Sequence, residues 1–153
     1  MAKPRMKSSN ATPVEPVGPI TGGVDTHKDF HVAAAKDALG RDLGTQKFPA
    51  TRRGYGDLLT WLQAFGSLRA VGVEGTGCYG AGLSTHLLRH DITVLEVNRP
   101  NRQKRRRTGK TDVLDAIAAA AAVQSGEATA APRTRTGPIE SVRVMKDTRA
   151  QLT

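Results

Sequence analysis

Cysteine is almost absent: Cys78 is the only one in 153 residues. One thiol cannot form an intrachain disulfide or a zinc site built from several cysteines, and it fits a reducing cytoplasm. Aromatic residues are also scarce, at 4%, so a core must rest on Val, Leu, Ile and Ala. No run of 18 or more apolar residues occurs, and the basic N-terminus lacks the apolar stretch of a secretory signal. A soluble cytoplasmic chain with no membrane partner is expected. Acids are the minority charge, 14 against 23 Lys and Arg, for a formal net charge of +9. That balance favours a polyanionic partner, because clustered cations release counterions from a phosphate backbone.

The chain has room for one domain with a modest core. Residues 1–18 carry Lys3, Arg5, Lys7 and several prolines without apolar period and read as a disordered basic leader. Strands are expected over Ile20–Lys28, Phe30–Ala35 and about Leu43–Phe48, with the Gly22-Gly23 pair permitting close backbone approach. Leu58, Leu59, Leu62 and Phe65 mark one face of a helix over Arg53–Phe65. A buried strand over Leu68–Glu74 follows, then a Gly75-Thr76-Gly77 turn, a helix over Tyr79–Arg89 and a strand over Ile92–Val97. An alanine-rich helix over Thr111–Ser125 closes the domain at Gly126. Composition makes 127–138 a linker, and helical period resumes over Ile139–Leu152. Three strands, then helix, strand, helix, strand, helix predict an α/β mixed sheet with helices on both faces, the element order of the ribonuclease H-like fold.

Four acids stand out by context. Asp25 lies on the first strand, where burial calls for a cation or hydrogen-bond partner. Glu74 ends an apolar strand, at the edge where open α/β sheets place ligands. Asp112 and Asp115 are three apart at the start of a helix and share a face. Close carboxylates repel unless a cation lies between them. The plainer reading of the last pair is a helix cap and a solvated first-turn acid. Glu96 competes with Glu74, since it also lies on a strand. Before the acid pair, Arg99, Arg102, Lys104, Arg105, Arg106, Arg107 and Lys110 place seven positive charges in twelve residues, with no acid among them. Acids beside such a run suit metal-assisted chemistry on a nucleic-acid backbone.

Gly23-Val24-Asp25-Thr26-His27-Lys28-Asp29, Val71 to Gly80, Glu96-Val97-Asn98-Arg99-Pro100 and Gly109 to Ala116 together resemble the N-terminal, RuvC-like domain of DEDD transposases, the insertion-sequence recombinases of the one-ten group. The resemblance runs from about Gly22 to the end of the chain, with four motifs in the expected order. It implies that Asp25, Glu74, Asp112 and Asp115 are catalytic and bind divalent metal. Oxygen donors suit Mg²⁺ or Mn²⁺. It further implies action on DNA, as a homo-oligomer, in some members guided by a structured RNA. Family members continue through a coiled-coil helix into a second domain bearing a serine nucleophile. Ser84, Ser125 and Ser141 match no such motif, so the chain reads as truncated within that helix and strand transfer by it alone is not expected.

The alternative is a nucleic-acid-binding module without chemistry, holding DNA or structured RNA on the Arg99–Lys110 run. Lys28 and Lys110 are candidates to neutralise phosphate, with solvated lysines the plainer reading. His86 and His90 are spaced for a shared metal on one helix, although two exposed polar residues explain them as well. His27 and His31 straddle a strand turn and do not share a face. The Gly75-Thr76-Gly77 turn lacks the lysine spacing of an ATP-binding loop.

Overall fold

The computed structural model describes residues 15–98 and 111–133. Strands β1 (Ile20–Thr26), β2 (Phe30–Lys36) and β3 (Asp42–Pro49) form the antiparallel meander. Helix α1 (Arg52–Gln63), β4 (Leu68–Glu74), α2 (Ala81–Arg89), β5 (Val94–Val97) and α3 (Thr111–Ser125) follow. The sheet order is β3-β2-β1-β4-β5, with β1/β4 and β4/β5 parallel. This is the mixed α/β sheet expected from the element order.

Element ends differ from the sequence expectation where turns consume residues. The His27 N–H donates to Phe30 O at 3.0 Å, so Lys28 and Asp29 become the two-residue turn and β1 stops at Thr26. After β4, Gly75 adopts φ +71°, the left-handed region that favours glycine. Its carbonyl accepts from the N–H groups of Cys78 (3.0 Å) and Gly80 (2.8 Å), and α2 therefore begins at Ala81, two residues late. Thr51 caps α1, its side chain accepting from Gly54 N at 3.0 Å.

The two adjacent glycines of β1 face opposite layers. A Cβ on Gly22 would meet Leu62 of α1, whereas one on Gly23 would meet the backbone of Ala116 and Ala120 in α3. On the α1/α2 side, Ile20, Val24, Leu58, Leu62, Val71, Val73, Leu83 and Leu87 are fully buried. Each contributes roughly 1.5–3 kcal/mol by leaving water. On the α3 side, small residues replace bulk: Ala116, Ala119 and Ala120 are inaccessible, and Gly72 leaves space for Val123. Parallel β1, β4 and β5 end at one edge, and α1, α2 and α3 all start there. Three helix N-termini, each carrying partial positive charge, thus face the edge that holds Asp25 and Glu74.

The flanks of the domain are tied down where they are described. Val17 N and Arg41 hold the Asp37 carboxylate, and Glu15 O accepts from Arg41 at 2.8 Å. Residues 127–133, read from composition as linker, lie along β5: Glu96 N donates to Ala130 O at 2.9 Å, and Ala128 is buried. Residues 1–14 of the leader, the Arg99–Lys110 run and the helix expected over Ile139–Leu152 lie outside the described residues. Among the described residues, no helix is long and apolar enough to cross a membrane.

Candidate functional site

The β1/β4 register pairs Gly23 with Gly72 and Val24 with Val73. The next residues, Asp25 and Glu74, therefore emerge side by side, on neighbouring strands whose usual spacing is about 4.8 Å. Strand alternation points both toward α3, as it does the two glycines below them. Both are buried, at 0% and 2% exposed. On the opposite face, the Thr26 hydroxyl donates to Glu74 O at 2.7 Å and locks the two strand ends together.

Helix α3 delivers its acids to the same edge. Asp112, in the first turn, is half-buried where the helix dipole favours negative charge. Asp115 is buried and lies on the sheet-facing side with Ala116 and Ala119. A carboxylate oxygen of Asp25 and one of Asp112 come within 4.8 Å of each other.

His27 stands between them. Its Nε2 is 2.7 Å from Asp25 Oδ2 and 3.3 Å from Asp112 Oδ1. The ring stacks on Phe30, with centroids 4.6 Å apart and planes 19° from parallel, and Lys47 Nζ covers the Phe30 ring at 4.3 Å. Sequence reasoning weighed this histidine only as a partner of His31 and set it aside, yet its spacing from Asp25 carried a signal. His27 is two residues after Asp25, so an extended backbone returns it to the same side.

Glu96, the competing strand acid, is engaged elsewhere. Its register partner is Val73, which puts it on the face opposite Glu74. It accepts from the Thr76 hydroxyl and lies 3.8 Å from Arg133 Nε. Thr76 also accepts from Arg133 N at 2.7 Å, so the Gly75-Thr76-Gly77 turn is occupied as a structural clasp. His86 and His90 have ring centroids 4.5 Å apart. Burial lowers the pKa of His86, and the nearby charges of His90, Arg89 and Arg52 lower it further. The two arginine charges would oppose a metal ion there. Among the described residues, Asp25, His27 and Asp112 form the one Asp/Glu/His/Cys group with metal-ligating proximity.

The seven basic residues proposed to meet nucleic acid, Arg99 to Lys110, lie outside the described residues, but their anchors do not. Val97 pairs with Glu74 at the end of β5, and the chain returns at Asp112 beside His27. The described residues that flank the basic run, Val97 and Asp112, thus both lie at the acid edge.

A five-stranded mixed sheet in this order, with helices on both faces and acids gathered at one strand edge, defines a RuvC-like, ribonuclease H-like domain. The T. thermophilus RuvC structure, in complex with a Holliday junction substrate, is similar over 74% of this chain and 99% of that one, with TM-score 0.50 and 14% identity. Archaeoglobus fulgidus Pelota is similar at TM-score 0.39 and 16% identity, over 72% of this chain and 36% of that one. No curated protein sequence matches the chain. Residues 22–153 match the transposase family of DEDD, IS110 type, and the chain belongs to that family.

Proposed function

We propose that this chain provides the nuclease domain of a transposase, cleaving and transferring DNA strands with the help of divalent metal. Asp25, Glu74, Asp112 and Asp115 would hold Mg²⁺ or Mn²⁺, and the Arg99–Lys110 run would hold the DNA backbone. The observation that carries the reading is the arrival of α3 at the Asp25/Glu74 edge, with Asp25 and Asp112 oxygens within 4.8 Å. Oxygens that close can share one cation, and an all-carboxylate set suits a hard ion. Bound there, the metal would supply Lewis-acid stabilisation of the attacking and leaving oxygens. The chain's own contribution is to hold the acids rigid. β1 and β4 fix two of them by strand pairing, and the glycine-backed packing of α3 fixes the other two. By family resemblance, transposases of this kind act as oligomers, use a serine nucleophile as well as the acids, and in some members follow a structured RNA. DNA binding is expected of this chain.

Thermal melts with and without Mg²⁺ or Mn²⁺ test the metal reading. The parent should gain about 2.7 kcal/mol at a metal concentration one hundred times Kd. Asp25→Asn should gain little. Equal stabilisation of the two proteins would place the metal elsewhere and overturn the site.

The basic run has a separate test in DNA and structured-RNA titrations across salt. Changing Arg105, Arg106 and Arg107 together to Ala should flatten the log–log salt slope by roughly one unit per lost phosphate contact. Unchanged affinity and slope would remove the run from the binding surface.

A further inference from the structure

We infer that His27 is a metal ligand of this site, a nitrogen donor that biases it toward Mn²⁺ over Mg²⁺. The inference rests on the four-acid reading above and adds a residue that reading does not use. Its ground is geometric. Donor atoms about 2.0–2.2 Å from one ion and at right angles around it lie about 3 Å apart. Nε2 of His27 is 2.7 Å from one carboxylate oxygen and 3.3 Å from the other, on either side of that spacing. Small movements would therefore bring all three around a common ion.

The ring is also prepared for the role. Phe30 supports it face-on, and the two-residue turn at Lys28-Asp29 fixes the backbone on its C-terminal side. The side chain is 22% exposed, against 1% for Asp25, so the histidine stands on the solvent side of the buried acid, where an ion would enter. Mg²⁺ prefers oxygen ligands and keeps its waters, whereas Mn²⁺, though also at home among carboxylates, is a first-row transition ion and accepts a nitrogen donor more readily. One nitrogen among carboxylates thus shifts preference without excluding either ion. A simple ion pair between His27 and the acids would have the same apo geometry but no bond to metal, and that difference can be measured.

The experiment uses the full 153-residue chain, Mn²⁺ alone and Mg²⁺ alone, with the parent, His27→Gln and Asp25→Asn. Pulsed paramagnetic resonance of bound Mn²⁺ should show nitrogen coupling in the parent and none in His27→Gln. The ratio of Mn²⁺ to Mg²⁺ affinity should fall several-fold in His27→Gln, mostly through weaker Mn²⁺ binding. Nitrogen coupling absent from a parent that binds Mn²⁺ through Asp25, or unchanged in His27→Gln, would overturn the inference and leave the four-acid site standing. Mn²⁺ binding that survives in Asp25→Asn, or no binding in the parent, would overturn that site as well. If His27→Gln does not fold, ¹⁵N-histidine labelling of the unaltered chain decides the matter. A change in the coupling pattern identifies a histidine ligand, and an unchanged pattern rejects it.

Discussion

Gly23→Ala should remove most of the stability of the domain. A Cβ at this position would lie 2.3 Å from both Ala116 O and Ala120 N. Both are helix backbone atoms, so no side-chain rotation relieves the clash. The other party is β1, hydrogen-bonded on both sides in the middle of the sheet, which cannot yield either. Overpacking a core costs about 1–3 kcal/mol even where side chains can adjust, and more is expected here. Small domains have only about 5–15 kcal/mol in total. Gly56→Ala is the control: it lies in α1 with nothing within 4 Å of its Cβ, and should stabilise by up to about 1 kcal/mol through helix propensity. Urea unfolding of the two variants checks the pair. A Gly23→Ala midpoint close to the parent's would mean that α3 does not rest on β1, and the acid site would lose its geometry with it.

The second large effect is on acid stability, and it centres on His31. This residue is 0% exposed, with its ring parallel to Tyr55 at a centroid distance of 5.8 Å and its Nδ1 2.9 Å from Phe30 O. Burial lowers its pKa from 6.5 to about 4, against the upward pull of the Phe30 hydrogen bond and with some help from His27. Above pH 6.5 the histidine is neutral in both folded and unfolded chains and stability is at its full value. As pH falls from 6.5 toward 4 the unfolded chain takes up a proton that the folded one refuses, so stability declines and the loss is complete below about 4. The shift corresponds to at most about 3 kcal/mol. His86 acts in the same direction. Asp37 contributes in a lower window. Burial pushes its pKa up, but Arg41 and the N–H groups of Arg41, Val17 and Leu39 outweigh this and hold it at about 2. Its contribution is therefore present above the ordinary carboxylate pKa of 3.8 and is lost as pH falls through about 2. Urea unfolding between pH 7.5 and 4.5 should show the His31 decline in the parent and a flatter profile in His31→Asn. Equal slopes would assign the proton uptake to another group.

Much of this architecture can be read from local pattern. The strand and helix order follows from apolar period and turn residues, and the Gly22-Gly23 pair signals close approach before any helix is placed on it. Asp25 and Glu74 are visible because each sits at a strand position where a lone acid is out of keeping with its apolar neighbours. Long-range facts are less legible. Glu96 and Glu74 look alike in sequence, and only the β4/β5 register, which pairs Glu96 with Val73, turns Glu96 to the other face. The stretch 127–133 has a linker's composition, yet it lies along β5, whose outer edge offers backbone groups to the chain that passes by. His27 was missed for a different reason. The two-residue spacing from Asp25 puts it on the right side of the strand, but its second partner, Asp112, is 85 positions away, and no local period carries that part of the information.

The two anchors of the basic run have a consequence for how firmly DNA could be held. A twelve-residue segment fastened at both ends cannot stray far. At about 3.5 Å per residue, its midpoint lies within roughly 25 Å of either anchor in any conformation it takes. Covalent connection alone thus sets an upper limit on how far the seven cations can lie from the acids, and for short tethers effective concentrations reach the millimolar range. Capture of a strand would then depend less on the shape of the segment than on its tethering. Cutting the chain between Arg102 and Arg107 should weaken DNA binding even with every charge still present.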